Sequence, residues 1–365
     1  MRKKSLLIVC PYPFDVAPSQ RLKFEQYFAA FKEDGWSIEF EPFMSPRFWS
    51  IVYSPGRLLE KAWLCLVGYV RRWLLLSRVS QYHTVYVHLW ATPFGPPFYE
   101  RLLRKLARRL IYDIDDLVYI RNDSSFTHPL VGFLKGRQKP IYLMKVADHV
   151  ITCTPYLDEF VRQRNPHTTD ISSTVDLDRY HLTSLSVRSP LTIGWSGSLS
   201  TSRYFYLLAP VLRRLRHNHN FRLLVMGDDS VRIEGLEIEA VAWSENLEMP
   251  TLQRFDIGVY PLPDEEWVYG KSGLKAIQYM ALGIPTVAAA IGTNFRVIEH
   301  EQSGLLARTE DDWYRALDSL LSDPDLRTRL GQGGRDKVEK VYSVQANAMN
   351  YLKILNAQPG DHDFS

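Results

Sequence analysis

The sequence predicts an α/β protein made of two doubly wound domains. Short apolar runs that suit buried strands alternate with loops and amphipathic helices, and this alternation starts twice, at Ser5 and at Leu191. The chain has 365 residues, which is enough for two domains of ordinary size. We assign a first domain to 1–183, a second domain to 184–342, a helix that returns to the first domain to 343–356, and a disordered tail to 357–365.

Composition narrows the functional classes. Hydrophobic residues make up 45% of the chain and charged residues 23%, as in soluble globular proteins, and a net charge of +3 gives no reason to expect a nucleic-acid partner. Cys10, Cys65 and Cys153 lie far apart and lack metal-ligand spacing, so we expect reduced thiols and no metal site. We also expect no bound cofactor. The apolar run from Leu6 to Cys10 is too short for a secretory leader, which favours the cytoplasm.

The first domain is predicted to open with a strand, a loop and a helix. Ser5 to Cys10 suits a buried strand, Pro11 to Ser19 is a proline-rich loop, and an apolar-faced helix follows from Ser19 to Gly35. Doubly wound folds bind their ligands beyond the carboxyl ends of the strands. Functional residues are therefore expected in the loops that follow strands.

Residues 57–79 combine tryptophans, leucines and arginines. The uncharged stretch is about nine residues, well short of the roughly 20 that span a bilayer. One interpretation places this segment in a membrane interface, with Arg71, Arg72 and Arg78 on anionic headgroups. The other makes it a core helix whose arginines extend to solvent.

Polar residues follow two predicted strands of the first domain. His88 ends the strand Thr84 to His88, and Asp115 and Asp116 follow the strand Ile111 to Ile114. A carboxylate at such a position can orient a hydroxyl group or act as a general base. Asp115, Asp116 and His88 are therefore candidate catalytic residues, and the alternative is that the carboxylates are polar groups at the mouth of a cleft.

The second domain repeats the pattern of strand, small-residue loop and helix. Gly197 and Ser198 follow the strand Leu191 to Trp195 and would let a diphosphate approach backbone amides, to which Arg203 adds positive charge. The next strand, Phe221 to Met226, leads to Asp228.

The most informative stretch is 255–298. It predicts a strand Ile257 to Tyr260, a loop, a helix Gly273 to Leu282 and a strand Thr286 to Ala290. Backbone N–H groups at a helix start attract anions, and lysines lie there too, so the segment predicts a phosphate site formed by Gly270, Lys271, Ser272, Gly273 and Lys275. The alternative is that the lysines are only solvated cations. A P-loop would need glycine at the position of Glu265, which excludes a P-loop NTPase.

The run QYMALGIP from Gln278 to Pro285 resembles the donor-binding segment of retaining GT-B glycosyltransferases of the family 4 type, the glycosyl transferases group 1. That family has two glutamates eight positions apart, which contact the donor sugar and the ribose. Gly270 and Gln278 occupy these positions here, as in a subgroup with GK-x-x-x-K in place of the acidic motif. A side-chain amide still binds a ribose hydroxyl, because it both donates and accepts hydrogen bonds.

The resemblance implies a GT-B fold, in which two Rossmann-like domains face a central cleft, the first binding the acceptor and the second the nucleotide-sugar. It implies a hexosyl transfer that retains anomeric configuration and needs no metal, because cations and helix N-termini neutralise the diphosphate. Trp243 falls where the family holds the nucleobase. The candidate donor-binding residues are Gly197, Ser198, Arg203, Asp228, Trp243, Gly270, Lys271, Ser272, Gly273, Lys275 and Gln278.

For the first domain, the resemblance gives Ser19 and Arg21 an acceptor or phosphate role, and aligns Asp115 and Asp116 with a histidine and an aspartate near the reacting sugar. It also implies a lipid-linked or cell-surface glycan as acceptor, a role in polysaccharide biosynthesis, and peripheral attachment to the cytoplasmic membrane face through residues 57–79. Other interpretations remain open: a sugar-nucleotide epimerase, a non-catalytic nucleotide-sugar-binding protein, and a GT-A enzyme that uses Asp113 and Asp115 with manganese.

Overall fold

The computed structural model describes residues 4–115, 117, 138–182 and 189–357. It consists of two compact α/β units that divide between Ser173 and Thr174 and again between Asn347 and Ala348. The division precedes the boundary expected at 183/184 because Val175 pairs with Ser343 and donates its N–H to the carbonyl oxygen of Tyr342. Residue 116 and most of the predicted tail lie outside the described residues.

The first unit is built on a six-stranded parallel sheet with the order β2-β1-β3-β4-β5-β6. The strand order reverses at β1, so the carboxyl ends of β1 and β3 flank the position where doubly wound folds bind ligands. The strands are β1 Ser5–Cys10, β2 Ser37–Pro42, β3 Thr84–His88, β4 Leu110–Asp113, β5 His149–Thr152 and β6 Thr168–Asp170.

Helices connect these strands, as parallel pairing requires. The helix expected from Ser19 to Gly35 is broken by a 3-10 turn at Glu25–Tyr27, which lets Lys23, Phe24 and Tyr27 all point into the core. The helices of the first unit are α1 Pro18–Arg21, α2 Phe28–Glu33, α3 Pro46–Val52, α4 Leu58–Leu75, α5 Phe98–Leu106, α6 Gln138–Val146 and α7 Pro155–Arg162.

The second unit has the parallel order β12-β11-β10-β7-β8-β9. Its order reverses at β7, so the loops after β7 and β10 flank the ligand position. The strands are β7 Leu191–Ser196, β8 Phe221–Met226, β9 Ile238–Val241, β10 Ile257–Tyr260, β11 Thr286–Ala289 and β12 Leu305–Ala307. Both units confirm the predicted α/β class.

The helices of the second unit pack on its own sheet. The last of them continues into the first unit. They are α8 Ala209–Arg216, α9 Glu245–Leu252, α10 Leu274–Ala281, α11 Asn294–Val297, α12 Glu310–Ser322, α13 Pro324–Lys337 and α14 Val344–Asn356. From Ala348 onward α14 belongs to the first unit, where the Tyr351 ring lies 4.4 Å from the Tyr27 ring. In the described part of the chain, no helix combines the length and the hydropathy needed to cross a membrane.

Arg72 of α4 does not contact lipid headgroups, contrary to the membrane interpretation of the sequence. It is only 1% exposed; its Nε donates to the carbonyl oxygen of Ala91 at 2.9 Å and its Nη2 to that of Cys10 at 2.8 Å. Arg72 therefore ties the chain segment that follows β3 to the last residue of β1. Its neighbour Arg71 is exposed and pairs with Glu41 at 3.2 Å.

We predict that Arg72→Ala lowers the free energy of unfolding of the first unit by about 2 to 5 kcal/mol, because two buried carbonyl groups lose their donor. Arg71→Ala is the matched control and should cost about 0 to 1 kcal/mol, as for an exposed ion pair. Urea titration, monitored by hydrogen exchange of the β1 and β3 amides, measures the unfolding free energy of both variants. Equal effects of the two substitutions would contradict the role of Arg72.

Candidate functional site

The loops at the strand-order reversal of the second unit are held by a tyrosine of α10. The hydroxyl of Tyr279 accepts a hydrogen bond from the backbone N–H of Ser196 at 2.8 Å and lies 2.9 Å from the Ser196 Oγ. Tyr279 is fully buried, so this contact fixes the end of β7 against the helix that follows β10. The loops after β7 and β10 consequently have a common anchor.

Two glycines make the floor of this region. Gly227 has a φ of +115°, and a Cβ built on it would lie 2.0 Å from the carbonyl oxygen of Gly197. A Cβ on Gly197 would lie 2.1 Å from the indole ring of Trp195. Only glycine fits at either position, and the small loop residues leave the strand ends accessible to a ligand.

Ser198 and Asp228 hold these loops in shape. The Ser198 N–H donates to the Oγ1 of Thr201 at 2.9 Å. Asp228 accepts from the N–H of Ser230 at 2.9 Å, and hydrogen bonds from the hydroxyls of Ser202 and Ser230 hold the pKa of its carboxyl below the usual value. The Asp228 carboxylate therefore stabilises its own loop, and its predicted contact with the donor stays a prediction.

A stack of cations and aromatic rings connects the two loops. The guanidinium of Arg203 lies 4.9 Å from the ring centre of Tyr204, which stacks on Trp267 with 5.3 Å between ring centres, and the Nζ of Lys271 lies 5.5 Å from the Trp267 ring. Each cation gains from the electron-rich ring face. Arg203 and Lys271, predicted from different segments, are thus brought to the two ends of one stack.

The start of α10 provides the expected helix N-terminus. Gly273 precedes the helix with a φ of +77°, and a Cβ there would lie 2.8 Å from the side chain of Val297. Gly270 is buried at the end of a 3-10 turn, and Lys271, Ser272 and Lys275 are half-buried. The structure therefore places Lys271 just before the helix and Lys275 in its first turn, where the helix dipole favours an anion.

Gln278 is buried, and its amide is already engaged. Its Nε2 donates to the Tyr180 hydroxyl at 2.6 Å and to the Glu248 carboxylate at 3.0 Å, while its Oε1 lies 3.4 Å from the Nζ of Lys275. Both donor positions of the amide are occupied, which leaves the oxygen as its only route to a ribose hydroxyl.

Glu248 of α9 is the functional candidate that sequence reasoning missed. It is 6% exposed and places a carboxylate beside Gln278, the position at which the resembling family has its second glutamate. Nothing in the sequence distinguishes Glu248 from Glu245 in the same helix turn, because the contact joins residues 30 positions apart. Trp243, which precedes this helix, is 40% exposed and is therefore not a core residue.

The catalytic candidates of the first unit lie at the carboxyl ends of β3 and β4. His88 is fully buried, with its Nδ1 3.6 Å from Asp113 and its Nε2 4.0 Å from Asp115. Among the described residues neither ring nitrogen has a hydrogen-bond partner. A histidine placed between two carboxylates with both nitrogens uncommitted can exchange a hydrogen bond with a hydroxyl ligand.

Asp113 is buried and ionised. Burial acts to raise the pKa of its carboxyl, but Lys23 at 3.6 Å, His88 and the hydroxyl of Tyr86 together hold that pKa below its usual value. A fully buried, lysine-paired carboxylate is a poor ligand for an added metal ion, which argues against the manganese site of the GT-A interpretation. Asp116 lies outside the described residues.

Leu89 sets the direction of the chain after His88. Its φ of +54° is unusual for a residue with a bulky side chain. The Tyr112 hydroxyl donates to the Leu89 carbonyl oxygen at 2.7 Å, and the Leu89 N–H donates to the carbonyl oxygen of Asp113 at 2.9 Å.

The acceptor or phosphate candidates of the first unit lie in α1. Arg21 is buried there and Ser19 is half-buried, and their predicted role stays a prediction.

Glu25 predicts a pH dependence of stability. Burial raises the pKa of its carboxyl from 4.5 to about 7, although Gln20 and the N–H of Asp15 both donate to it at 2.9 Å. Between these two pH values the Glu25 carboxyl binds more protons in the folded state than in the unfolded state, so its contribution to stability is greatest below pH 4.5 and falls as the pH rises to about 7.

We expect the Glu25 carboxyl to stabilise the first unit by about 3 kcal/mol less at pH 7 than at pH 4.5, so the difference in unfolding free energy between the native protein and Glu25→Gln should fall by that amount. Denaturant titrations at several pH values measure it. Glu33→Gln, on the exposed side of α2, should differ from the native protein by a constant amount over the same range. A difference between the native protein and Glu25→Gln that stays constant or rises with pH would contradict the prediction.

Part of the second unit matches a known protein family in sequence. Residues 190–323 match the family Glycosyl transferases group 1. The D-inositol 3-phosphate glycosyltransferase of Stackebrandtia nassauensis is 44% identical over 66 residues, and that of Corynebacterium jeikeium is 35% identical over 108 residues. These matches cover 18% and 28% of this chain but only 15% and 26% of the relatives' own lengths.

Solved structures resemble nearly the whole chain. Sucrose-phosphate synthase from Thermosynechococcus elongatus has a TM-score of 0.69 at 16% identity and covers 96% of this chain and 98% of its own. Anabaena HepE in complex with UDP and glucose has a TM-score of 0.67 at 14% identity, with 97% and 100% covered. At such identities the likeness shows the fold, as the sequence predicted. The second unit thus matches the family Glycosyl transferases group 1, on a chain that has the GT-B fold.

Proposed function

We propose that the chain is a hexosyl transferase that moves a sugar from a nucleotide-diphospho-sugar to a hydroxyl group of an acceptor. In this reaction the bond between the anomeric carbon and the diphosphate breaks, the acceptor oxygen bonds to the anomeric carbon, and the hydroxyl proton is released. The proposal rests on the two loops that follow β7 and β10 in the unit that matches the family. They bring cations together above two glycines, at the point where the strand order reverses.

The diphosphate is assigned to the loops after β7 and β10. Arg203 and Lys271 lie at the ends of the aromatic stack, and Lys275 is the second residue of α10. Asp264, Glu265 and Glu266 are exposed on the same loop, so the cations also offset local negative charge. We propose that these cations and the helix N-terminus neutralise the leaving diphosphate without a bound metal ion.

The nucleoside is assigned to the neighbouring helices. Glu248 and the oxygen of Gln278 would accept hydrogen bonds from the ribose hydroxyls, and the exposed ring of Trp243 would stack on the base. HepE holds UDP, which makes UDP the first nucleotide to test.

Acceptor recognition is assigned to the first unit. His88 and Asp115 present polar atoms at the carboxyl ends of its strands, where they would orient or deprotonate an acceptor hydroxyl. We further propose retention of anomeric configuration, a lipid-linked or cell-surface glycan as acceptor, a role in polysaccharide biosynthesis, and action at a cytoplasmic membrane face.

One observation favours a second candidate function, a protein that binds a nucleotide-sugar without turning it over. The position expected to carry the sugar-binding glutamate is Gly270, which has no side chain. Incubation with donor and acceptor glycan distinguishes the candidates, because only a transferase forms a new glycoside. Donor conversion without any acceptor would instead indicate an epimerase.

We predict that Lys271→Ala and Lys275→Ala each weaken binding of the nucleoside diphosphate by about 1 to 3 kcal/mol, the scale of a lost charged hydrogen bond. This corresponds to a Kd increase of about 5- to 150-fold in isothermal titration calorimetry. Lys340→Ala, an exposed lysine of the same unit, is the control and should leave Kd unchanged. Native affinity in both loop variants would remove the lysines from the site.

A second prediction concerns Glu248. If its carboxylate accepts from the ribose, the native protein should bind UDP more tightly than 2′-deoxy-UDP, because the missing hydroxyl leaves a buried acceptor without its partner. Glu248→Ala should lower UDP affinity and make the two ligands bind alike. Glu245→Ala, on the exposed side of the same helix turn, is the control. Undiminished discrimination in Glu248→Ala would assign the ribose contact elsewhere.

A further inference from the structure

Helix α4 has more exposed large apolar side chains than any other described helix of the first unit. Its inward side is well packed: Gly68 lies so close to the ring of Phe43 that a Cβ would come within 2.8 Å of it, and Arg72 and Leu75 are buried. The outward side of α4 is much less buried by the described residues. Leu59 is 90% exposed and Trp63 is 63% exposed.

Six exposed apolar residues of α4 form one stripe. At 3.6 residues per turn they fall within roughly a third of the helix circumference, with spacings of three and four. They are Leu59, Trp63, Leu66, Val70, Trp73 and Leu74. The charged residues of the helix all lie outside this stripe; they are Glu60, Lys61, Arg71 and Arg72.

Helix α5 extends the stripe and adds positive charge. The Trp73 ring lies 6.0 Å from that of Tyr99 in α5, so the two helices touch. Phe98, Leu102 and Leu106 are exposed at one-turn intervals. Beside them lie the exposed cations Arg101 and Lys105, for which the described part of the chain provides no acidic partner.

We infer that the stripe of α4 and α5 is a docking surface for an anionic membrane. Two tryptophans in an apolar stripe, flanked by cations, match the boundary between acyl chains and negatively charged headgroups. The carboxylates of these helices do not oppose this, because Glu100 is buried and Glu60 pairs with Arg47 at 2.6 Å. The headgroup cations are those of α5, whereas Arg71 and Arg78 are neutralised by Glu41 and Glu39.

The inference rests on the proposed function for its biological role. A membrane bound by α4 and α5 would hold the lipid-linked acceptor that the proposed reaction uses. Its evidence is independent of the donor site, because all the residues that form it belong to the first unit. Membrane binding and nucleotide binding are therefore separate measurements, and the failure of one leaves the other standing.

The test is co-sedimentation of the full chain, without nucleotide, with vesicles of phosphatidylcholine mixed with phosphatidylglycerol and with vesicles of phosphatidylcholine alone. We expect binding to the anionic vesicles, and a loss of at least about tenfold in Trp63→Glu/Leu66→Glu, because two side chains of the stripe become charged. Met349→Glu is the matched control, since Met349 is 61% exposed on α14 of the same unit.

The charge component is tested separately. Arg101→Glu/Lys105→Glu should weaken binding to anionic vesicles by about tenfold or more, whereas Lys32→Glu/Lys145→Glu, with the same charge change on exposed residues of the same unit, should have little effect. Tryptophan emission should shift to shorter wavelength when anionic vesicles are added, and Trp63→Phe/Trp73→Phe should lose this shift.

Several results would overturn the inference. They are absence of binding by the native protein, equal binding to vesicles of phosphatidylcholine alone, and binding that the stripe variants do not weaken relative to their controls. A dimer that dissociates in Trp63→Glu/Leu66→Glu, together with no vesicle binding, would show that a second copy of the chain covers the stripe.

Discussion

The position of β7 between β10 and β8 is the constraint on which the proposed site depends. All these strands are parallel, so their carboxyl ends share one edge of the sheet, and the chain leaves β7 and β10 in loops that diverge around a common space. Gly227 lies so close to the Gly197 carbonyl that only backbone atoms line the base of that space. Cations from both loops can then be held by one aromatic stack, which neither loop could build alone.

In each unit a buried polar side chain hydrogen-bonds the strand ends at the point where the strand order reverses. In the second unit the Tyr279 hydroxyl accepts a hydrogen bond from Ser196. In the first unit Arg72 donates to the last residue of β1 and to the segment that follows β3. Such groups are costly to bury unless they are fully hydrogen-bonded, and in return they fix a single arrangement of the loops. The same rigidity explains how His88 is held between two carboxylates, with Leu89 in an unusual backbone conformation.

Local sequence patterns predicted much of this architecture. The helix expected at Gly273 to Leu282 is α10, Leu274–Ala281, and the strand expected at Ile257 to Tyr260 is β10, because apolar periodicity and a glycine at each helix end are local signals. The burial of Arg72, the carboxylate of Glu248 beside Gln278 and the stacking of Tyr204 on Trp267 were not predictable in this way. Each depends on residues far apart in the chain that only the folded sheet brings together.

The most direct test of the proposed donor site is hydrogen–deuterium exchange of the native chain with and without UDP, repeated in the presence of magnesium. We expect saturable protection, independent of magnesium, in residues 196–203 and 261–275, since a ligand stabilises the segments that it contacts. No protection there with UDP or with other nucleoside diphosphates, or protection confined to other segments, would contradict the assignment of these loops to the nucleotide-sugar.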